Sequence, residues 1–403
     1  MDGGVVMEEI GWELVQAIGR FFAHPLTYVI PIAMLLLGYF RVKRERSTFH
    51  TRIFQMAFDL TAPLLPGFLA GLVLSIIVIV SGIAVPFAFI GLVSIILLLV
   101  LMTGRTNWLS PAFTVSTAVI LALFLPEWNS GNAFIDNWLQ ALAGTDFRPV
   151  IIWLAVLIMI EGILIWKNGN KHTSPVVVKS TRGKWLGAHR LQRIWFIPSI
   201  MLVPDGMIES ISWWPLLPVG GEDFALFLIP FAMGTNYTIF HTLPAPAVKR
   251  AGQRIILLSL LVGAGAATVF YFPEAALYTA AAAILIREAL TVWLNREERT
   301  RPAFFMPRSR GVGVLGILPS SPAAKMGLAP GETIMKVNGQ QVNSEKEFYY
   351  ALQKNSAYCK IEVTDLQGEL RHVQSAVYDN EHHEIGVLLV KERSTFDPSA
   401  KEA

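Results

Sequence analysis

Charge is scarce in this sequence. Only 16% of its 403 residues are Asp, Glu, Lys or Arg, against roughly 25% in soluble globular proteins. With 53% hydrophobic residues and a mean hydropathy of +0.49, this balance excludes an ordinary soluble enzyme. Cysteine is rarer still. Cys359 stands alone, which excludes an intramolecular disulfide framework and any multi-cysteine metal site. It lies in the alternating run Cys359-Lys360-Ile361-Glu362-Val363, so the expectation is a packed core thiol in a strand. A basic leader is missing too, because Glu8, Glu9 and Glu13 stand where a cleavable signal would carry positive charge.

Catalytic signatures are equally absent. The eight histidines include no HExxH, the arrangement a zinc intramembrane protease needs to place two ligands and a base on one helix face. No Gly-x-Ser-Gly elbow occurs in an apolar run. Gly220-Gly221-Glu222-Asp223 has Glu where the intramembrane aspartyl protease motif has Gly, and it falls in a loop. The expectation is a protein that is not an enzyme and takes no metal or cofactor.

Long apolar runs are what the sequence has in excess, and several approach the roughly 20 residues needed to cross a bilayer. Residues 1–23 read as an amphipathic segment. Residues 24–295 read as a multi-pass transmembrane domain of eight or nine helical segments: His24–Phe40, Leu60–Gly82, Ala84–Met102, Pro111–Leu125, Val150–Trp166, Phe224–Leu243, Ile255–Phe272, Ala275–Leu294 and a doubtful Ile194–Pro218. Pro198, Pro204, Pro215 and Pro218 make that last one a poor helix, so a broken or re-entrant segment is expected, shielded from lipid by protein. Basic residues resist translocation. The Arg41–Asp59 loop, Arg105, the Lys167–Arg193 stretch, Lys249/Arg250/Arg254 and Arg296–Arg310 therefore belong on one, cytoplasmic, side. If Ile194–Pro218 crosses, the loops alternate and the N-terminus lies outside.

Ionisable residues in apolar segments are functional suspects by default. Asp205 and Glu209, one turn apart if helical, could face a common cavity as in a transporter. Glu161 could reach toward Lys167, while Arg287 and Glu288 need partners on other helices.

After a charged linker at 296–307 the pattern changes. Residues 308–392 hold the segments SSPAAKMGL and PGETIMKVNG, then a helix that opens at Ser344 with Glu347 three residues on, the spacing of a capping box. This order of parts resembles a PDZ domain, a module that binds an extended peptide as an added strand beside a helix. The helical stripe Glu345, Phe348, Tyr349 and Leu352 supplies one wall, with Phe348 and Leu352 divided evenly between groove and core. Two loops compete to receive the ligand: Gly311-Val312-Gly313-Val314, and Ile385-Gly386-Val387-Leu388. The second is preferred, because a ligand strand that comes last is similar to the permuted PDZ domains of bacteria. Residues 393–403 read as a disordered tail. The fold class is thus a polytopic α-helical membrane bundle followed by a small α+β PDZ-like domain, circularly permuted if the second loop is the binding one.

The stretch GWELVQAIGRFFAHPLTYV, then GYFRVKRER and FHTR, the many apolar segments and a terminal domain ending in EIGVLLV together resemble the MinJ-type membrane adaptors of the bacterial Min system. That resemblance implies an adaptor in septum-site selection. It would be recruited by a DivIVA-like polar scaffold and would hold a MinD-like ATPase and divisome components at the membrane. It also implies enrichment at septa and poles, contact with membrane lipids and no nucleic-acid partner. The competing readings are an accessory protein presenting substrates to a protease or secretion machinery, and third a transporter.

Overall fold

The computed structural model describes residues 3–179, 185–210, 213–217, 223–354, 358–376 and 385–390. The 393–403 tail, most of the Gly220–Asp223 loop and the middle of the Lys179–Trp185 basic loop lie outside them. In chain order the elements begin with helices α1 (Gly3–Ala23), α2 (Leu26–Phe49), α3 (Phe58–Ser81), α4 (Phe87–Thr103), α5 (Pro111–Phe124), α6 (Ala133–Ala143) and α7 (Phe147–Asn168). Strands β1 (Ser174–Lys179), β2 (Trp185–Glu209) and β3 (Asp223–Ile239) come next, then α8 (Pro244–Val269) and α9 (Ala275–Thr300). The C-terminal domain holds β4 (Val312–Ile317), α10 (Pro322–Lys325), β5 (Thr333–Val337), β6 (Gln340–Gln341), α11 (Glu345–Gln353), β7 (Tyr358–Thr364), β8 (Leu370–Ala376) and β9 (Val387–Leu389).

Five helices, α2, α3, α7, α8 and α9, are long and apolar enough to cross a membrane, and α4 and α5 are shorter apolar helices. α7 is the most enclosed. α7 and α8 approach closely at Gly162 and Gly252, where a Cβ on Gly252 would stand 2.6 Å from the Trp166 nitrogen; small residues let apolar helices meet in this way. α1 presents Trp12, Val15, Ile18 and Phe22 outward and buries Glu13, Ala17 and Phe21. Its outer face is therefore the apolar one.

The largest departure from the sequence reading is in the middle of the chain. Ile194–Pro218 and Phe224–Leu243, expected as a broken segment and a helix, instead contribute to β2 and β3, a long antiparallel hairpin within the helical region. Asp205 and Glu209 lie on β2 at and just beyond its bulge, both exposed, with Asp205 at φ 63°. They do not share a helix face, so the basis for a transporter site is gone.

An open sheet edge cannot face lipid, because each unmet backbone group costs several kcal/mol there. The structure covers the β2 edge with α3. A Cβ on Gly67 would stand 2.1 Å from the Phe196 carbonyl oxygen, and one on Gly71 2.0 Å from that of Pro198. One turn on, Ser75 Oγ accepts from the Ile200 N–H at 2.8 Å. Val85 N–H then donates to Leu202 O at 2.9 Å. Phe196, Pro198, Ile200 and Leu202 thus turn their backbone groups toward α3 and its loop, because both groups of one strand residue point to the same edge. Pro198 and Pro204 share that parity. Their missing N–H groups fall on the edge away from β3, the one place a strand tolerates proline. On the β3 side, Asn107 Oδ1 accepts from Asn236 N and Thr106 Oγ1 donates to Thr235 O at 3.0 Å.

Buried charges tie the bundle together. Glu161, fully enclosed, accepts from Arg287 at 2.9 Å and from Ser110 Oγ at 2.5 Å. Lys167 is not its partner, so the sequence reading of Glu161 is corrected, and Arg287 has found the counter-charge it required. At the base of α2, Glu45 accepts from Arg41, the Ile53 N–H and Ser174 Oγ, and Arg41 also holds Asp59 at 2.7 Å. Glu298 near the end of α9 accepts from Tyr237 OH and from the N–H groups of Phe240 and His241.

The junction is more structured than a charged linker at 296–307 would suggest. α9 runs unbroken to Thr300, and Phe304 and Phe305 are anchored by Phe304 N–H to Phe240 O at 2.8 Å and Gly187 N–H to Phe305 O at 3.0 Å.

Candidate peptide-binding site

The C-terminal sheet runs in the order β8-β7-β5-β4-β9, with β6 pairing beside β5. The local signals act as their chemistry requires. Ser321 caps α10 by accepting from Ala324 N–H at 3.3 Å. Ser344 caps α11 by accepting from Glu347 N–H at 3.3 Å, and the Glu347 carboxylate returns to Asn343 N–H at 2.8 Å, one residue before the cap. Cys359 is buried in the core, and burial pushes its thiol up to about 12.

β9 pairs antiparallel with β4 through Val314–Leu389, Gly316–Leu388 and Ile317–Val387. Ile385 and Gly386, just before it, both take left-handed backbone, φ 47° and 79°. Their carbonyls are fixed, Gly386 O by Leu318 N–H at 2.8 Å and Ile385 O by Ala323 N–H at 2.9 Å. A Cβ on Gly386 would stand 2.3 Å from Ser321 Cβ, so only glycine fits there. Gly386 O and Val390 N are turned toward β4. By strand alternation the backbone groups of Val387 and Leu389 are turned to the opposite edge, where no strand pairs among the described residues.

The competing Gly311–Val314 loop has no such edge. Gly313 pairs with Thr333 of β5 and also accepts from Val390 N–H at 3.4 Å, while Gly311 N–H is taken by Asn343.

The profile of the PDZ domain family matches residues 313–364. Over nearly the whole length, the chain is 36% identical across 384 residues to the cell division topological determinant MinJ of Bacillus subtilis (strain 168), covering 95% of this chain and 96% of that protein. This chain belongs to the MinJ family. Proteins named probable cell division topological determinant MinJ from Lacticaseibacillus paracasei and Lacticaseibacillus casei (strain BD-II) are each 25% identical over 333 residues, 76% of this chain and 86% of theirs.

In this MinJ-family chain the residues singled out from sequence occupy three different settings. Ile385, Val387 and Leu389 face the domain core together with Phe348 and Leu352. Phe348 is fully enclosed and Leu352 only 7% exposed, so both are core residues here. Of the helical stripe, Glu345 and Tyr349 alone are half-buried and reach the surface. Leu388 points to the other face. There it joins Val390, Leu315, Leu318 and Phe305 in a cluster with Phe49 and Ile53, from the end of α2 and the loop after it. Leu388 is thus a docking residue between the PDZ domain and the helical region.

That docking contact was not legible in the sequence. His189 on β2 is its polar centre: Nε2 lies 2.8 Å from Leu315 O and Nδ1 3.0 Å from Thr173 Oγ1. A neutral imidazole that donates from Nε2 and accepts at Nδ1 satisfies both. Burial holds His189 in that form and lowers its pKa to about 4. The end of the bundle that receives the PDZ domain is also where Phe49, Ile53, Val177 and Leu243 gather, so the basic segments flanking them share one end of the molecule.

Proposed function

We propose that this chain is a non-catalytic membrane adaptor in bacterial division-site selection. It spans the cell membrane several times with its basic end and PDZ domain in the cytoplasm, and uses the outer edge of β9 to hold an extended peptide of a partner. The assignment of residues 24–295 to the membrane, 308–392 to peptide binding and the junction to docking belongs to the same reading. Its main support is the arrangement at Ile385–Leu389: a left-handed turn followed by a strand on which Val387 and Leu389 direct their backbone groups away from β4. Successive N–H groups at such a turn make a concavity for a carboxylate. Strand addition supplies main-chain hydrogen bonds, and one or two ligand side chains buried at about 1.5–3 kcal/mol each give a reversible contact on the order of micromolar. Glu345 and Tyr349 flank the groove in this reading.

Membership of the family supports two partners in this reading: a DivIVA-like scaffold that recruits the chain to poles and septa, and a MinD-like ATPase that the chain retains there. The name of the relatives, cell division topological determinant, supports the process.

A photo-crosslinking amino acid placed at Tyr349 of the full chain in living cells tests this. The expected outcome is capture of a Min-system or DivIVA-type protein. Reproducible capture of a protease or translocase instead would replace the adaptor with the substrate-presenting alternative.

A further inference from the structure

The inner end of the α2–α4 interface holds a cavity of about 390 Å³. Its wall is apolar along Leu36, Phe40, Leu101 and Met102, and it is also lined by Arg44 and the exposed Arg105. A narrower space on the far side of Arg44 is lined by Arg41, Asp59, Arg190 and Arg193.

The charges here are not balanced. Arg41 is held by Glu45 and Asp59, the carboxylates found here among the described residues. Arg193 donates to the carbonyls of Asn168 and Lys171 at 2.8 and 2.6 Å. Arg44 and Arg190 form no salt bridge among the described residues, although Glu45 and Asp59 act on Arg44 at longer range, and the Nε of each is buried without a hydrogen bond. The two arginines also repel one another as like charges. Arg105 stacks on the Trp108 ring at 4.6 Å and forms no salt bridge among the described residues. Arg44 and Arg190 are half-buried, and their dry, unpaired Nε groups carry a cost that an anion from outside the chain would offset.

The apolar wall decides which kind of anion. Leu36, Phe40 and Met102 are 51%, 62% and 78% exposed, and they continue the outward face of α2 and α4, both apolar helices. The open side of the cavity therefore faces hydrocarbon, while its arginines lie at the basic end of the bundle.

We propose that this cavity binds an anionic glycerophospholipid, with the phosphate against Arg44 and Arg105 and the acyl chains along Leu36, Phe40 and Met102. The lipid completes the charge of the α2–β2 junction from outside. It makes the seating of α2, and so of the surface that docks the PDZ domain, sensitive to the lipid composition of the leaflet.

Native mass spectrometry of the delipidated full chain in detergent tests this, with phosphatidylglycerol, phosphatidylcholine and inorganic phosphate as probes. One phosphatidylglycerol adduct is expected at about tenfold lower concentration than phosphatidylcholine requires, since each cation near an anionic headgroup contributes roughly severalfold. Arg44→Gln with Arg105→Gln should abolish that preference. Leu101→Trp, which fills the cavity and leaves the arginines in place, should block the adduct, so the test survives a double variant that does not fold. Equal binding of the two lipids overturns charge recognition. Displacement of the adduct by inorganic phosphate alone overturns the lipid assignment in favour of a soluble anion. An unchanged adduct in both variants places any bound lipid elsewhere and overturns the site.

Discussion

Gly71→Ala is the substitution on which a β-hairpin and a helical reading of the middle of the chain disagree in sign. In an exposed or loosely packed helix, replacing Gly by Ala stabilises by up to about 1 kcal/mol. Here the new methyl would lie 2.0 Å from the Pro198 carbonyl oxygen and 2.9 Å from its carbon. Ordinary contact needs well over 3 Å, so α3 must withdraw from β2 by about 1 Å or more, a displacement typical of overpacked interiors costing roughly 1–3 kcal/mol. The same withdrawal stretches the Ser75 Oγ bond to Ile200 N–H, and a buried donor left unmet adds about 1–3 kcal/mol. The total is on the order of 2–6 kcal/mol. Thermal unfolding of the detergent-solubilised chain reads this, and hydrogen exchange at Ile200 localises it. Gly263→Ala is the control, since nothing lies within 4 Å of a Cβ at that position of α8; it should be neutral or mildly stabilising. A Gly71→Ala protein as stable as the parent, with Ile200 still protected, would refute the packing of α3 on the hairpin edge.

Three further outcomes follow from named contacts. Glu161→Ala should destabilise the bundle by about 3–5 kcal/mol by leaving Arg287 buried without its anion, whereas Glu161→Leu combined with Arg287→Met should recover most of that in the same unfolding assay. Docking of the PDZ domain should weaken as pH falls from about 6.5 toward 4. His189 is held neutral in the docked state with a pKa near 4 but takes a proton near 6.5 when released, so the contribution is fully present above 6.5 and shrinks below it by up to roughly 3 kcal/mol. Limited proteolysis at Arg301 across that range checks this, and His189→Gln should flatten the profile. Gly386→Ala should lower the stability of the PDZ domain by about 1–3 kcal/mol, because it combines a positive φ with a methyl set against Ser321; a domain that melts unchanged would mean the turn before β9 is built differently.

The PDZ domain was readable because its signals are local: Ser321 and Ser344 cap helices, Gly327 and Gly331 take positive φ, and alternation places Cys359, Ile361 and Val363 inward. The hairpin was not, for a definite reason. β2 and β3 are buried on both faces over Ile194–Leu202 and Leu226–Met233, and a strand enclosed on both sides reads as an unbroken apolar run. Such a run has the same hydropathy as a membrane helix. Two clues were present: the even spacing of Pro198 and Pro204, and the Gly67, Gly71, Ser75 stripe of α3. Both gain meaning only when strand and helix are placed side by side.

The candidate site divides in the same way. Ile385 and Gly386 announced a turn, and Val387 lies on the strand that follows. The outward turn of Leu388 into the docking cluster depends on Phe49 and Ile53, more than three hundred residues away in the chain. Glu161 and Arg287, 126 positions apart, met for the same kind of reason. Neither pairing leaves a trace in local sequence.

The central claim, that β9 offers its outer edge to a partner, is tested most directly by amide hydrogen exchange on the full chain in nanodiscs with and without the captured partner. The account predicts slowed exchange at Val387 and Leu389 on binding, with Gly386 and the β8 edge unchanged. Protection confined to β8 or to the membrane-domain loops, with Val387 and Leu389 exchanging as before, would contradict it.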